Sequence, residues 1–179
     1  METTAAYCEP RIRTYGFQSL TELSLLEVTV DPRRMVSLGR ALVQMGEKGI
    51  HSHLIFSRPS SEGLKVCFII LRDLEHLAVE HLEQPLLQDI DRFAYHTSPA
   101  ELVFFQGPHF GDRYGIADVA VEALAGKGVE MTAIVCSGAC IYIVLPEGKS
   151  EEAVLILAET FEIPKVSFRE SFQASRTKP

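Results

Sequence analysis

The residues best suited to chemistry lie in one short run, Phe110-Gly111-Asp112-Arg113-Tyr114-Gly115-Ile116-Ala117-Asp118. It follows an apolar strand candidate, Leu102 to Phe105, and leads into a stripe at helical spacing, Ile116, Val119, Ala120, Ala123 and Leu124. A glycine-flanked strand-to-helix turn leaves the first N–H groups of the helix without intrahelical partners, and the helix dipole adds about half a positive charge there. Such a turn suits reception of a small anion or the carboxylate of an amino acid. Backbone N–H groups around Tyr114, Gly115, Ile116 and Ala117 would hold the carboxylate, and Asp112 would accept from an ammonium group. The plain alternative is a glycine-bearing loop that only caps a helix.

Other chemistry-bearing residues point to packing or solvent. His51 and His53 alternate on one strand face with no third ligand at metal spacing, so they read as surface or interface histidines. Cys136 and Cys140 are four apart, unlike the two-residue spacer of redox or zinc motifs; with Cys67 they are expected to be buried free thiols. Ser137 and Asp112 join no nucleophile-base set, and no catalytic, metal-binding or cofactor-binding constellation is expected. Phe104 is expected in the core, whereas Phe110 could serve either core or pocket. Glu80, Glu83, Asp89, Asp91 and Arg92 read as a solvated stretch.

The elements that must position the turn come in two similar halves. The first reads strand (Leu25 to Val30), helix (Arg34 to Glu47), strand (Ile50 to Ser57), strand (Leu64 to Leu71), helix (from Leu74). The second repeats the order with Leu102 to Phe105, Arg113 to Lys127, Val129 to Val135, Cys140 to Leu145 and Ser150 to Phe161, closed by a strand at Lys165 to Phe168. Gly49 and Gly128 stand at matching positions between helix and strand, where a left-handed residue ends a helix well. The pattern predicts an α+β protein of two ferredoxin-like βαββαβ units, each an antiparallel four-stranded sheet with two helices on one face. Units are expected at 18–98 and 99–170, with 11–17 as an added strand on the second sheet. Gln84 to Asp91 would be a Pro-marked extension, and 171–179 a disordered tail.

Composition narrows the class. With 179 residues, 46% of them hydrophobic, the chain can bury a core without staples. The net charge of -7, with no Lys/Arg block longer than Arg33-Arg34, gives nucleic acid little to hold. No apolar run reaches the ~18 residues of a membrane span, and Met1 to Pro10 lacks a basic region followed by an apolar core, so a cytoplasmic protein is expected.

The tandem resembles a pair of ACT domains, modules that sense small molecules in amino-acid metabolism. Asp112-Arg113-Tyr114-Gly115-Ile116-Ala117 resembles that family's Asp-Arg-Pro-Gly turn, with Tyr114 in place of proline. Ile134-Val135-Cys136-Ser137, Ile141-Tyr142-Ile143-Val144 and Glu151-Glu152-Ala153-Val154 to Ile163 resemble the closing stretch of aspartokinase regulatory tails. The resemblance implies a regulatory module that binds an amino-acid effector at an interface between ACT units, with Val135, Cys136 and Ser137 as the second wall. It also implies a homodimer, a partner such as an aspartokinase catalytic subunit, and no kinase activity of its own. A structural dimerisation module with a vestigial site is the rival expectation. The first half departs from the motif: whether Asp31 or Arg33 is set against Asp112, the glycine is missing, and Val36 would obstruct a ligand.

Overall fold

The computed structural model describes residues 11–87, 94–108 and 110–163. Its elements are β1 (Phe17–Val30), α1 (Met35–Glu47), β2 (Ser52–Ser60), β3 (Gly63–Leu71), α2 (Glu75–Leu87), β4 (Tyr95–Gln106), α3 (Ile116–Gly126), β5 (Ala133–Cys136), β6 (Cys140–Pro146) and α4 (Ser150–Thr160). Single turns of 3-10 helix, Pro32–Arg34 and Arg72–Leu74, lead into α1 and α2. The fold is α+β, as the alternating periodicities predict. No helix among the described residues is long and apolar enough to cross a membrane.

Contacts divide the chain into two compact units, Leu20–Glu101 and Met1–Ser19 together with Leu102–Pro179. In the first, β3 lies between β1 and β2 and pairs antiparallel with both. Registers such as Leu26↔Phe68 and Val28↔Val66 put matching apolar residues on one face. That face packs Leu26, Val28, Val66, Phe68 and Ile70 against Leu38, Ala41 and Met45 of α1 and Ala78 and Leu82 of α2. Full burial of a Leu, Ile or Phe stabilises by about 1.5–3 kcal/mol, so this face holds the helices on the sheet.

In the other unit β5 and β6 form an antiparallel hairpin, with Ile134↔Ile143 and Cys136↔Ile141 in register. Val103 and Phe105 of β4 and Ile141, Ile143 and Leu145 of β6 pack under Ile116, Ala120 and Leu124 of α3 and Ala153 and Leu157 of α4. Phe105, Phe161 and Phe17 interlock there, with ring centroids 4.9 to 6.0 Å apart and tilted or edge-on geometry. The segment before β1 enters the same core through Ile12. Thr14 N–H donates to the Glu162 carbonyl at 2.9 Å, Glu162 N–H to that of Ile12 at 2.9 Å, and Tyr15 N–H to that of Gln106 at 2.8 Å. Gly107 makes this possible: a Cβ there would strike the Arg13 carbonyl and meet the Phe110 ring at 2.5 Å.

Several expectations change. Two separate four-stranded sheets were predicted, whereas the described strands form one six-stranded sheet in the order β2-β3-β1-β4-β6-β5. The cause is strand length: β1 has 14 residues and β4 has 12, and each contributes to both units. Among the described residues, segment 11–17 makes one parallel bridge, Arg13↔Glu162, before β1 begins. Helix α3 starts at Ile116 and not at Arg113, and β5 starts at Ala133 and not at Val129. Of Gln84 to Asp91, residues to Leu87 continue α2. The remainder, the strand at Lys165 to Phe168 and the tail lie outside the described residues. Phe104 is only half-buried and stacks on Tyr142 at 5.8 Å, while Phe110 packs edge-on against Phe105 at the core margin. Of the thiols expected to be buried, Cys67 is; Cys136 is exposed and Cys140 intermediate, because both flank the hairpin turn.

Candidate ligand site

After Gln106 the chain leaves the sheet, turns through residues 110–112 and reaches α3 at Gly115. Gly115 has φ 81 and ψ 4, the left-handed conformation, and it is the N-cap of α3 with no side-chain cap bond. Its carbonyl accepts from Val119 N–H at 3.0 Å. The N–H groups of Ile116, Ala117 and Asp118 open the helix, and Gly115 itself offers them no side chain. A Cβ on Gly115 would meet nothing within 4 Å, so the backbone angle alone calls for glycine here. Ile116 anchors the helix in the core beneath. Tyr114, where the resembled motif has proline, points out and is 98% exposed; Asp112 is exposed, and Arg113 and Ala117 are partly buried.

Across from this turn stands the tip of the β5–β6 hairpin. A Cβ on Gly111 would come 3.0 Å from the Gly138 carbonyl, so the turn and the hairpin tip touch through two glycines. The structure thus brings together the residue before the 112–117 segment and the residue after the 135–137 segment. It does not present the three hairpin residues alike. Cys136 is paired with Ile141, next to Ile134↔Ile143, and both isoleucines on β6 face the helices. Val135 is paired with Tyr142, on the opposite face, where Tyr142 stacks on Phe104. Ser137 follows the last paired residue of β5, and its hydroxyl is committed to the turn: it accepts from Cys140 N–H at 3.1 Å and donates to the Cys140 carbonyl at 3.2 Å. Burial raises the Cys136 thiol pKa, which keeps it neutral.

The start of α1 provides a contrast. The Asp31 carboxylate accepts from Arg33 N–H at 2.9 Å and is gripped by the Arg33 guanidinium at 2.6 to 3.1 Å. Pro32 removes one donor, and Val36 is exposed on the first turn of the helix. At this helix start the N-cap residue supplies its own carboxylate; at α3 the N-cap is a glycine, which has no side chain to offer. Reading the sequence missed the Gly111–Gly138 approach and the role of Gly107. A glycine just past a strand end was the available signal for the latter, but the partners lie far along the chain. His51 and His53 are exposed, and no group of three His, Cys, Asp or Glu among the described residues is placed to hold a metal.

No protein-family model and no curated protein matches the sequence. Solved structures do match. The regulatory subunit of aspartate kinase from Thermus flavus superposes with a TM-score of 0.71 at 18% identity, covering 84% of this chain and 99% of that one. The ligand-free regulatory subunit from Thermus thermophilus gives 0.71 at 20% identity, covering 83% and 99%. The fold is that of an aspartokinase regulatory subunit. The aspartokinase regulatory fold also matches part of a longer enzyme, E. coli aspartokinase III in complex with lysine and aspartate. There the TM-score is 0.57 at 17% identity, over 87% of this chain and 35% of that one. Both Thermus chains, matched over 99% of their length, are described as regulatory subunits.

Proposed function

We propose that this protein is a regulatory, non-catalytic module built from two ferredoxin-like ACT units, and that it binds an amino-acid effector at the start of α3. The observation that carries the reading is the left-handed glycine at the start of α3, set beside the hairpin tip. The effector carboxylate takes the N–H groups at 115–117, and Asp112 accepts from its ammonium group. Both ends of the zwitterion need such partners, since burying either without one costs several kcal/mol. The turn is open to solvent at Asp112, Tyr114 and Gly115, which leaves room for an ACT unit of a second copy to cover the ligand. The module is read as a cytoplasmic homodimer that passes occupancy to an amino-acid biosynthetic enzyme, an aspartokinase catalytic subunit by the likeness of fold.

Occupancy can shift the assembly only by its differential affinity for two arrangements, about 1.4 kcal/mol for each factor of ten. Calorimetry and thermal denaturation with the twenty amino acids test the reading. One of them should bind and raise the melting temperature. Absence of both effects at millimolar concentration would sink it.

A second reading, a structural dimerisation module with a vestigial site, is favoured by the self-capped start of α1 and by Tyr114 in place of proline. Asp112→Asn discriminates: it abolishes effector response under the first reading and changes nothing under the second.

A further inference from the structure

The segment before β1 has a light hold on its unit. From Arg11 to Tyr15, Ile12 and Thr14 are buried, while Arg11, Arg13 and Tyr15 alternate with them and are exposed. Its backbone is tied to Glu162, beyond α4, by bonds of 2.9 Å in each direction, and to Gln106, the last residue of β4, at 2.8 Å. The Arg13–Glu162 ion pair adds little, because both side chains are about half exposed. By contrast, β1 runs in register with β3 from Leu23 to Val30. A segment with so small a buried face opens locally while the rest of its unit stays folded.

The ligand turn reaches the same place. A Cβ on Gly107 would strike the Arg13 carbonyl and lie 2.5 Å from Cε1 of Phe110, so the segment's backbone and the Phe110 ring flank one glycine. Phe110 stands edge-on to Phe105 at 5.8 Å. Phe105 in turn meets Phe161, the neighbour of Glu162, at 5.1 Å, and Phe17, two residues past Tyr15, at 4.9 Å. One ring of the turn thus closes the aromatic cluster that flanks the tie at Glu162 and the entry to β1.

We propose that residues 12–15 are a detachable strap, and that the 110–115 turn latches it through Phe110. A shift of the turn withdraws the ring from Gly107, and the strap loses a wall. The converse holds by linkage: release of the strap uncovers Gly107, frees Phe110 and loosens the turn. The step deepens the proposed function and rests on it in one respect, that an amino-acid effector is what settles the turn. Docking of the strap then carries occupancy to the segment before β1.

Hydrogen exchange on the full chain tests the latch, with the Thr14, Tyr15 and Glu162 amides reporting the strap and those of Val129 and Thr132 serving as references in the same unit. Phe110→Ala should speed exchange at the strap amides by about tenfold and leave the references within about twofold. Equal acceleration of both sets, or none at the strap, overturns the proposal with or without an effector. Should Phe110→Ala not fold, Phe110→Leu is read by the same comparison. With an amino acid that calorimetry shows to bind, wild-type strap amides should slow by about tenfold more than the references, and Thr14→Pro, which removes a strap N–H, should bind it about tenfold more weakly. Binding that leaves strap exchange unchanged overturns the latch while the site reading stands. If no amino acid binds, the site reading falls, and the Phe110→Ala comparison decides the latch by itself.

Discussion

Glu27 is 13% exposed on β1, with the Arg58 guanidinium at 3.0 Å and the Lys65 ammonium at 3.5 Å. Burial alone would push its carboxyl up; the hydrogen bond from Arg58 and the charges of Lys65 and Arg58 outweigh that and hold it below its ordinary value. A depressed carboxyl contributes stability above the unfolded range near 4.3 and loses it as pH falls through the lower folded value. Glu27→Gln should therefore cost about 1–2 kcal/mol at pH 7 and flatten the acid limb of stability against pH, measured by urea denaturation. Its neighbour Cys67 runs the other way. Burial first, and Glu27 second, push its thiol from 9.0 up to about 11. The fold holds the proton, so stability is complete below 9 and declines as pH rises toward 11. Replacing Cys67 with Ala should remove that alkaline decline, whatever it does to stability at neutral pH. Glu22 offers a residue-level gain: it holds φ 57 within β1, a left-handed angle that costs a side-chain-bearing residue roughly 1–2 kcal/mol. Glu22→Gly should stabilise by about 1 kcal/mol in the same assay, with part of the relief lost to the freer unfolded chain.

At the scale of elements, what could be read from local pattern and what could not separate cleanly. The α3 stripe was legible because burial at 3.6 spacing shows in residue type, and the glycines ending α1 and α3 because left-handed φ is rare otherwise. Gly49 and Gly128, at φ 72 and 76, close their helices with the same bonds: Gly49 N–H to Gly46 and Ile50 N–H to Met45, Gly128 N–H to Ala125 and Val129 N–H to Leu124. The true lengths of β1 and β4 were not legible, since Phe17 to Glu22 and Tyr95 to Pro99 carry mixed polarity and take strand form from pairing with distant partners. Within the site, the turn was legible in Gly115, whereas the split of Val135 from Cys136 needed the hairpin register. Element-level tests follow from the same contrasts. Asp31→Ala should cost about 1 kcal/mol by uncapping the 3-10 turn that leads into α1. Gly107→Ala should cost more, about 1–3 kcal/mol, because its methyl drives the Arg13 backbone off β4. Loss of hydrogen-exchange protection at Thr14 and Tyr15 would report that displacement.

For the molecule as a whole, an effector present at a hundred times its dissociation constant stabilises the folded state by about 2.7 kcal/mol. In a chain of this size that corresponds to a rise in melting temperature of several degrees, absent in Asp112→Asn. The strand-like segment 12–15 has a different kind of consequence. Arg13 is joined to Glu162, 149 residues away, whereas residues 20–101 form a contiguous unit. Synthesis runs from the N-terminus, so the contiguous unit can acquire its core on the ribosome while residues 12–15 wait for Phe161 and Glu162 to emerge. Contacts of such separation form slowly. The return of residues 12–15 to a slot held open by Gly107 must then wait until residue 162 has emerged, and ribosome-stalled chains ending short of residue 162 should leave Ile12 to Tyr15 open to protease.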